Sequence, residues 1–130
     1  MIVQGTPDQF IEILRETIVS LVRRDGPDLT ARQLSIFLIV YLGEGPHTVR
    51  GLAAALNVPK ASVTRGLDRL DTFDLTRRKA DPKDRRSVLV QSTVKGTALA
   101  REIQAIMGEA AAALEKKPSL SKGYAGSHTH

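Results

Sequence analysis

The chain contains no cysteine. Disulfides, thiolate zinc ligation and cysteine-based redox sensing are therefore excluded. Long apolar runs are missing too: the longest, Ile36 to Leu42, is far short of the roughly 18 residues that a bilayer crossing requires. Met1–Gln9 carries neither the charged start nor the apolar stretch of a secretory signal, so a cytoplasmic protein with no membrane partner is expected. There is no Gly-rich phosphate loop, no Ser/His/Asp order and no metal-ligand spacing; the histidines are His47, in a turn region, and His128 and His130, in the polar tail. Neither an enzyme nor a resident metal or cofactor is expected.

What is present is a 130-residue chain, 42% hydrophobic and 25% charged, the composition and size of one compact globular domain. Its net charge of +5 is unevenly placed. Residues 1–47 hold 4 Lys/Arg and 6 Asp/Glu, residues 48–95 hold 11 and 5, and residues 96–130 hold 4 and 3. A basic centre between near-neutral ends suits a polyanion, of which the phosphate backbone of nucleic acid is the commonest. On charge alone, a merely solvated basic face explains it equally well.

Apolar spacing divides the chain into elements. Phe10, Ile11, Leu14, Ile18, Leu21 and Val22 recur at helical steps, predicting an amphipathic helix over 8–23 with Asp8 as its cap. Thr30 and Gln33 form a capping box, and Leu29 and Leu34 occupy the positions of a hydrophobic staple. These signals favour helix for Ile36 to Leu42, whose β-branched residues would otherwise suit a buried strand, and its all-round apolar surface predicts the central buried helix. After the breaker Gly43-Glu44-Gly45-Pro46, Thr48 can cap a short helix with Leu52, Ala53 and Leu56 inward. Asn57-Val58-Pro59 turns the chain into a helix over 60–72 whose buried edge is Val63, Leu67 and Leu70. Lys60, Ser62, Thr64, Arg65, Asp68 and Arg69 are left on its outer face.

Strand-like runs over 75–80 and 87–92 flank Asp81-Pro82-Lys83-Asp84-Arg85-Arg86, predicting a β-hairpin with a charged tip. Arg77, Arg78, Lys79, Lys83, Arg85 and Arg86 place six positive charges within ten residues, a repulsion that Asp81 and Asp84 offset in part and a phosphate backbone could offset further. Leu99, Ile103, Ile106, Met107, Ala110 and Leu114 return to helical spacing, so 94–116 reads as one helix about 35 Å long at about 1.5 Å per residue. That is longer than a small core covers, and part of its stripe is expected to meet a second chain. Residues 118–130 read as a disordered tail.

This order of elements resembles a winged helix-turn-helix, and the residues narrow the likeness to the MarR family. The resemblance runs from about Leu29 to Gly96. It is carried by Leu29-Thr30-Ala31-Arg32-Gln33, by Leu52-Ala53-Ala54-Ala55-Leu56-Asn57-Val58, by Ser62-Val63-Thr64-Arg65-Gly66-Leu67-Asp68-Arg69-Leu70 and by the hairpin tip Asp81 to Arg86. It implies a mainly α fold with a small β-hairpin wing, and long N- and C-terminal dimerisation helices. It also implies a homodimeric regulator, usually a repressor, of double-stranded DNA with a pseudo-palindromic operator; many members respond to a small-molecule effector. In that setting Ser62, Thr64 and Arg65 suit base edges or phosphates, Lys60 the backbone, and Arg69 the same face. Arg86, with Arg85 as alternative, suits the minor groove, with Lys83 beside it and Asp84 holding a guanidinium. Arg50 and Arg78 are expected to support phosphate.

On this reading residues 1–28 are a dimerisation arm, 29–93 the DNA-binding region and 94–117 a second arm, within one compact domain. Phe10, Leu14, Ile18, Leu99, Ile103, Ile106, Met107 and Leu114 are the expected dimer contacts. Three positions depart from the family pattern: Asp74 where glycine is usual, Gly51 where Glu is frequent, and Ser92 in place of Leu. The family's usual further helix is replaced by a polar tail from Lys117 onward. Because fold alone does not determine function, a winged-helix protein-interaction module without specific DNA binding is the alternative.

Overall fold

Two threonines open the first two helices in the same way. Thr6 and Thr30 each accept the backbone N–H three residues on, and Gln9 and Gln33 each reach back to the threonine's own N–H. Both are capping boxes, which satisfy donors that a helix start leaves unpaired. The Asp8 cap expected from sequence is thus corrected: Asp8 lies in the first turn, behind Thr6 and the helix-favouring Pro7.

The computed structural model describes residues 5–115, in the order α1 (Pro7–Arg23), α2 (Ala31–Leu42), β1 (His47–Thr48), α3 (Val49–Leu56), α4 (Lys60–Thr72), β2 (Thr76–Asp81), β3 (Asp84–Ser92) and α5 (Val94–Glu115). The fold is mainly helical with a small antiparallel sheet, strand order β1-β3-β2. The expected tail over 118–130, with His128 and His130, lies outside the described residues. No helix among those described is long and apolar enough to cross a membrane.

Two compact units emerge, Pro27–Arg101 and the pairing of Met1–Gly26 with Glu102–His130. The division falls within α5, inside the stretch read from sequence as an arm. The first turns of α5, through Arg101, belong to the winged unit.

The core of the winged unit contains Ile36, Phe37, Val40, Leu52, Ala53, Val63, Leu67, Leu70, Leu75, Val90 and Leu99. α2 is less central than its composition predicts, because Leu42 at its end is 70% exposed. Gly66 allows α2 and α4 to approach closely: a Cβ there would lie 2.9 Å from Ile36 Cδ1. Asn57 ends α3 in the left-handed conformation, φ 56°, and Asp74 does the same after α4, φ 57°. Asparagine and aspartate tolerate that region better than other residues with side chains, which is how Asp74 replaces a glycine there.

The wing is more compact than expected. The reading of 81–86 as a loop is corrected, since the strands run to Asp81 and from Asp84, leaving Pro82-Lys83 as a two-residue turn beside an irregularity at Ala80/Asp81. The sequence pattern also missed the third strand. His47 and Thr48 pair with Val90 and Leu89, a stretch too short to show alternation.

Tyr41 joins sheet and helix. Its hydroxyl accepts the Thr93 N–H at 2.9 Å and lies 3.0 Å from the Leu75 carbonyl and 3.1 Å from that of Thr93, either of which can take its proton. The Thr93 hydroxyl in turn accepts the Gly96 N–H at 2.9 Å as α5 begins. At Gly96 there is no room for a Cβ, which would collide with the Tyr41 hydroxyl and the Leu75 carbonyl oxygen. Gly96→Ala is expected to destabilise the winged unit by about 1–3 kcal/mol through overpacking, and Tyr41→Phe by about 1–3 kcal/mol by orphaning a part-buried N–H. Urea denaturation checks both; variants as stable as the parent would show that this junction contributes nothing.

Candidate nucleic-acid interface

The rotation of α4 about its own axis is set by its apolar edge. Ser62, Val63, Gly66, Leu67 and Leu70 are buried, so Lys60, Thr64, Arg65, Asp68 and Arg69 face outward. Ser62 is the exception to the expected outer face. It is 8% exposed because it stands one turn before Gly66 on the packed side, and its hydroxyl accepts Arg65 Nη2 at 3.3 Å.

One cleft joins this face to the wing. It measures about 290 Å³ and is lined by Val49 and Arg50 of α3, Lys60 and Thr64 of α4, Arg78 of β2, and Arg86, Ser87 and Val88 of β3. Four cations from four separate elements therefore converge on one surface of the winged unit. Val49, Ser87 and Val88 were not anticipated; only the spatial pairing of the strands brings them here. Arg65, Arg69, Lys83, Asp84 and Arg85 are exposed outside that lining. Arg69 lies 4.7 Å from the centre of the Phe73 ring, a cation–π contact that holds it near the end of α4.

At the tip, Asp81 Oδ1 accepts the Lys83 N–H at 2.9 Å and Asp84 Oδ1 accepts the Arg86 N–H at 3.0 Å. Where the sequence suggests that Asp84 holds a guanidinium, the structure gives its Oδ1 a backbone partner, as is common for short acidic side chains in turns. Arg78, expected from sequence to support phosphate, is paired with two carboxylates of α4. Its Nε donates to Asp71 Oδ2 at 2.8 Å and its Nη2 to Asp68 Oδ1 at 2.6 Å. Burial opposes the charge on Arg78, but hydrogen bonds to Asp68 and Asp71, and the charges of both, outweigh it and raise the pKa above the usual arginine value. Asp71 went unnoticed in the sequence, although its place three residues after Asp68 on one helix face was the available signal.

In the other unit, Arg24 pairs with Glu102 at 3.0 Å. Phe10, Leu14 and Ile18 are 42%, 50% and 41% exposed, with Ile11, Val22 and Met107 also uncovered. Ile106 and Leu114 are half-buried and line a groove of about 310 Å³ shared by α1 and α5. Leu99 and Ile103, expected from sequence as dimer contacts, are both buried within the single chain, at 7% exposed.

The MarR family model matches residues 27–87. Over that stretch the chain is similar to the MarR family. Its members' winged-helix fold is also found in solved structures. A transcriptional regulator, Tm0710 of Thermotoga maritima, is 26% identical, with 91% of this chain and 86% of that one covered and a TM-score of 0.67. A MepR variant of S. aureus bound to an oligodeoxyribonucleotide is 20% identical, with coverage of 94% and 91% and a TM-score of 0.72. CouR is similar in two states. The repressor bound to a 23-mer DNA duplex is 23% identical, with 78% and 66% covered and a TM-score of 0.60. The Rhodococcus jostii RHA1 protein bound to p-coumaroyl-CoA is 25% identical, with 82% and 73% covered and a TM-score of 0.59. A comparison with curated protein sequences gives no match.

If the Asp84 carboxylate holds the tip, Asp84→Ala should speed hydrogen exchange at the Arg86 amide by at least about threefold, the effect of losing a weak exposed hydrogen bond. An NMR exchange rate equal to that of the parent would show that the turn is held by other contacts.

Proposed function

We propose that the protein is a sequence-specific double-stranded-DNA-binding regulator, a repressor of the MarR type, that binds rather than catalyses. The observation that carries this reading is the cleft joining Arg50, Lys60 and Thr64 to Arg86. It puts the outer face of α4 and the wing on one side of one unit. In this reading α4 enters the major groove, where Thr64 and Arg65 contact base edges and Lys60 and Arg50 contact phosphate. Arg86 reaches the adjacent minor groove, with Arg85 and Lys83 beside it at the exposed tip. Arg69, stacked on Phe73, supports the backbone contact.

The homodimer is part of the proposal. α1 leaves its apolar face of Phe10, Leu14 and Ile18 uncovered while burying the polar Thr17, the pattern expected of a helix whose partner is a second copy. Two copies would read a pseudo-palindrome with half-sites about 34–36 Å apart, roughly one helical turn. That CouR is found with DNA and, separately, with p-coumaroyl-CoA supports a form of regulation in which a small-molecule effector alters DNA affinity.

Selection from a random DNA pool followed by anisotropy titration tests the reading. Affinity for the selected duplex should fall by roughly a thousandfold or more between 50 and 200 mM salt if six or more phosphates are engaged. Arg65→Ala and Arg86→Ala should each weaken it by roughly tenfold or more and relax sequence preference. Binding that ignores salt and both substitutions would refute the assignment. No DNA retained, with a stable protein complex instead, would favour the interaction module.

A further inference from the structure

Arg78 lines the proposed DNA cleft, yet it is already tied within the protein through two of its five N–H donors. The Nε and Nη2 groups are hydrogen-bonded to Asp71 and Asp68, both on α4, while Arg78 itself is on β2. The tie is doubled at Asp71: the carboxylate oxygen not used by Arg78 accepts the hydroxyl of Thr76 at 2.5 Å, and Thr76 is buried at the start of the same strand. The Arg78 and Asp71 side chains are only 27% and 25% exposed, so neither is a freely moving surface group. Turning Arg78 toward a phosphate would strip two carboxylates of their counter-charge next to a polyanion. Asp68, 62% exposed on the outer face of α4, would then repel the DNA that α4 is meant to read.

We propose that Arg78, held by Asp71 and Asp68, is a positioning residue that fixes the wing at a set angle to α4, so that DNA specificity depends on it without its touching DNA. The proposal rests on the DNA-binding reading and deepens it. Major-groove and minor-groove contacts come from separate elements, α4 and the β2-β3 hairpin. Simultaneous contact requires the distance between Arg65 and Arg86 to be held, and the short turn Phe73-Asp74-Leu75 is the direct covalent link from α4 to β2. Arg78 closes a second link across that turn with a planar fork that lysine does not reproduce.

The test measures affinity against salt for two duplexes of equal length, the one that the parent protein selects and a scrambled one. Circular dichroism confirms that each variant folds. For both Arg78→Ala and Arg78→Lys, the preference for the selected duplex should drop by roughly tenfold while the slope of log affinity against log salt stays unchanged. A slope reduced by about one unit in Arg78→Ala, with Arg78→Lys behaving like the parent, would make Arg78 an ordinary phosphate contact and overturn the proposal. Asp71→Asn decides the matter should Arg78→Ala fail to fold. It removes a negative charge, so electrostatics alone predicts tighter binding with preference intact, an outcome that would overturn the tie; loss of preference supports it. A parent protein with no salt-dependent DNA affinity would instead refute the DNA reading itself, before any variant is compared.

Discussion

The burial of five side positions on α4 is the constraint from which the remaining geometry follows. Ser62, Val63, Gly66, Leu67 and Leu70 form one packed edge, and a helix whose edge is packed has no freedom to rotate. Displacing the pattern by one residue would turn the helix by about 100° and carry Thr64 and Arg65 toward the core. The outward display of Lys60, Thr64 and Arg65 is thus a consequence of apolar packing, not of any attraction among the cations, which repel one another. Gly66 sharpens the constraint, since only a residue without a side chain leaves room for Ile36 at that distance.

Electrostatics then sorts the cations into two groups. Arg78 is neutralised by Asp68 and Asp71, and Arg77 lies 3.7 Å from Asp74. Among the described residues no carboxylate lies within ion-pair reach of Lys60, Arg65, Lys83, Arg85 or Arg86. The acidic groups Asp68 and Asp71 of α4 serve as internal counter-charges, and those of the tip, Asp81 and Asp84, each place one oxygen on a backbone N–H group. What remains is a basic surface uncommitted to the protein, which a phosphate backbone can use without first breaking internal pairs.

Much of this was legible in the sequence because local patterns with a strict period encode it. The capping box at Thr30 and Gln33, the stripe of Val63, Leu67 and Leu70, and the paired apolar runs around Pro82-Lys83 all depend on residues close in the chain. What local patterns do not carry has a different origin. Ser62 was placed outward because a serine is polar, yet its position beside Val63 on the packed edge outweighs its chemistry. The sequence suggests a guanidinium for Asp84, while its Oδ1 meets the backbone N–H two residues on. Leu99 and Ile103 were given to a dimer because a helical stripe does not say how much of it the chain covers for itself. The convergence of Val49, Ser87 and Val88 on the cleft follows from strand pairing, which no local spacing expresses. The MarR likeness located the wing and the reading helix, but gave no hint that Arg78 is occupied by Asp71.

The exposed face of α1 follows from the same balance that orients α4. A helix buries whichever face gains most, and α4 covers its apolar edge within the chain, whereas α1 leaves Phe10, Ile11, Leu14, Ile18 and Val22 uncovered. The side of α1 that is covered carries Thr17, whose hydroxyl satisfies itself on the Ile13 carbonyl at 2.7 Å. Leaving several large apolar side chains in water forgoes about 25 cal/mol of stabilisation for each Å² that burial would remove. Under the proposed homodimer, a second copy recovers that stabilisation by covering the face. Under the proposed function, the apolar residues of α1 and the cations of α4 and the wing are then two parts of one requirement: the first brings two readers together, and the second lets each hold its half of the duplex.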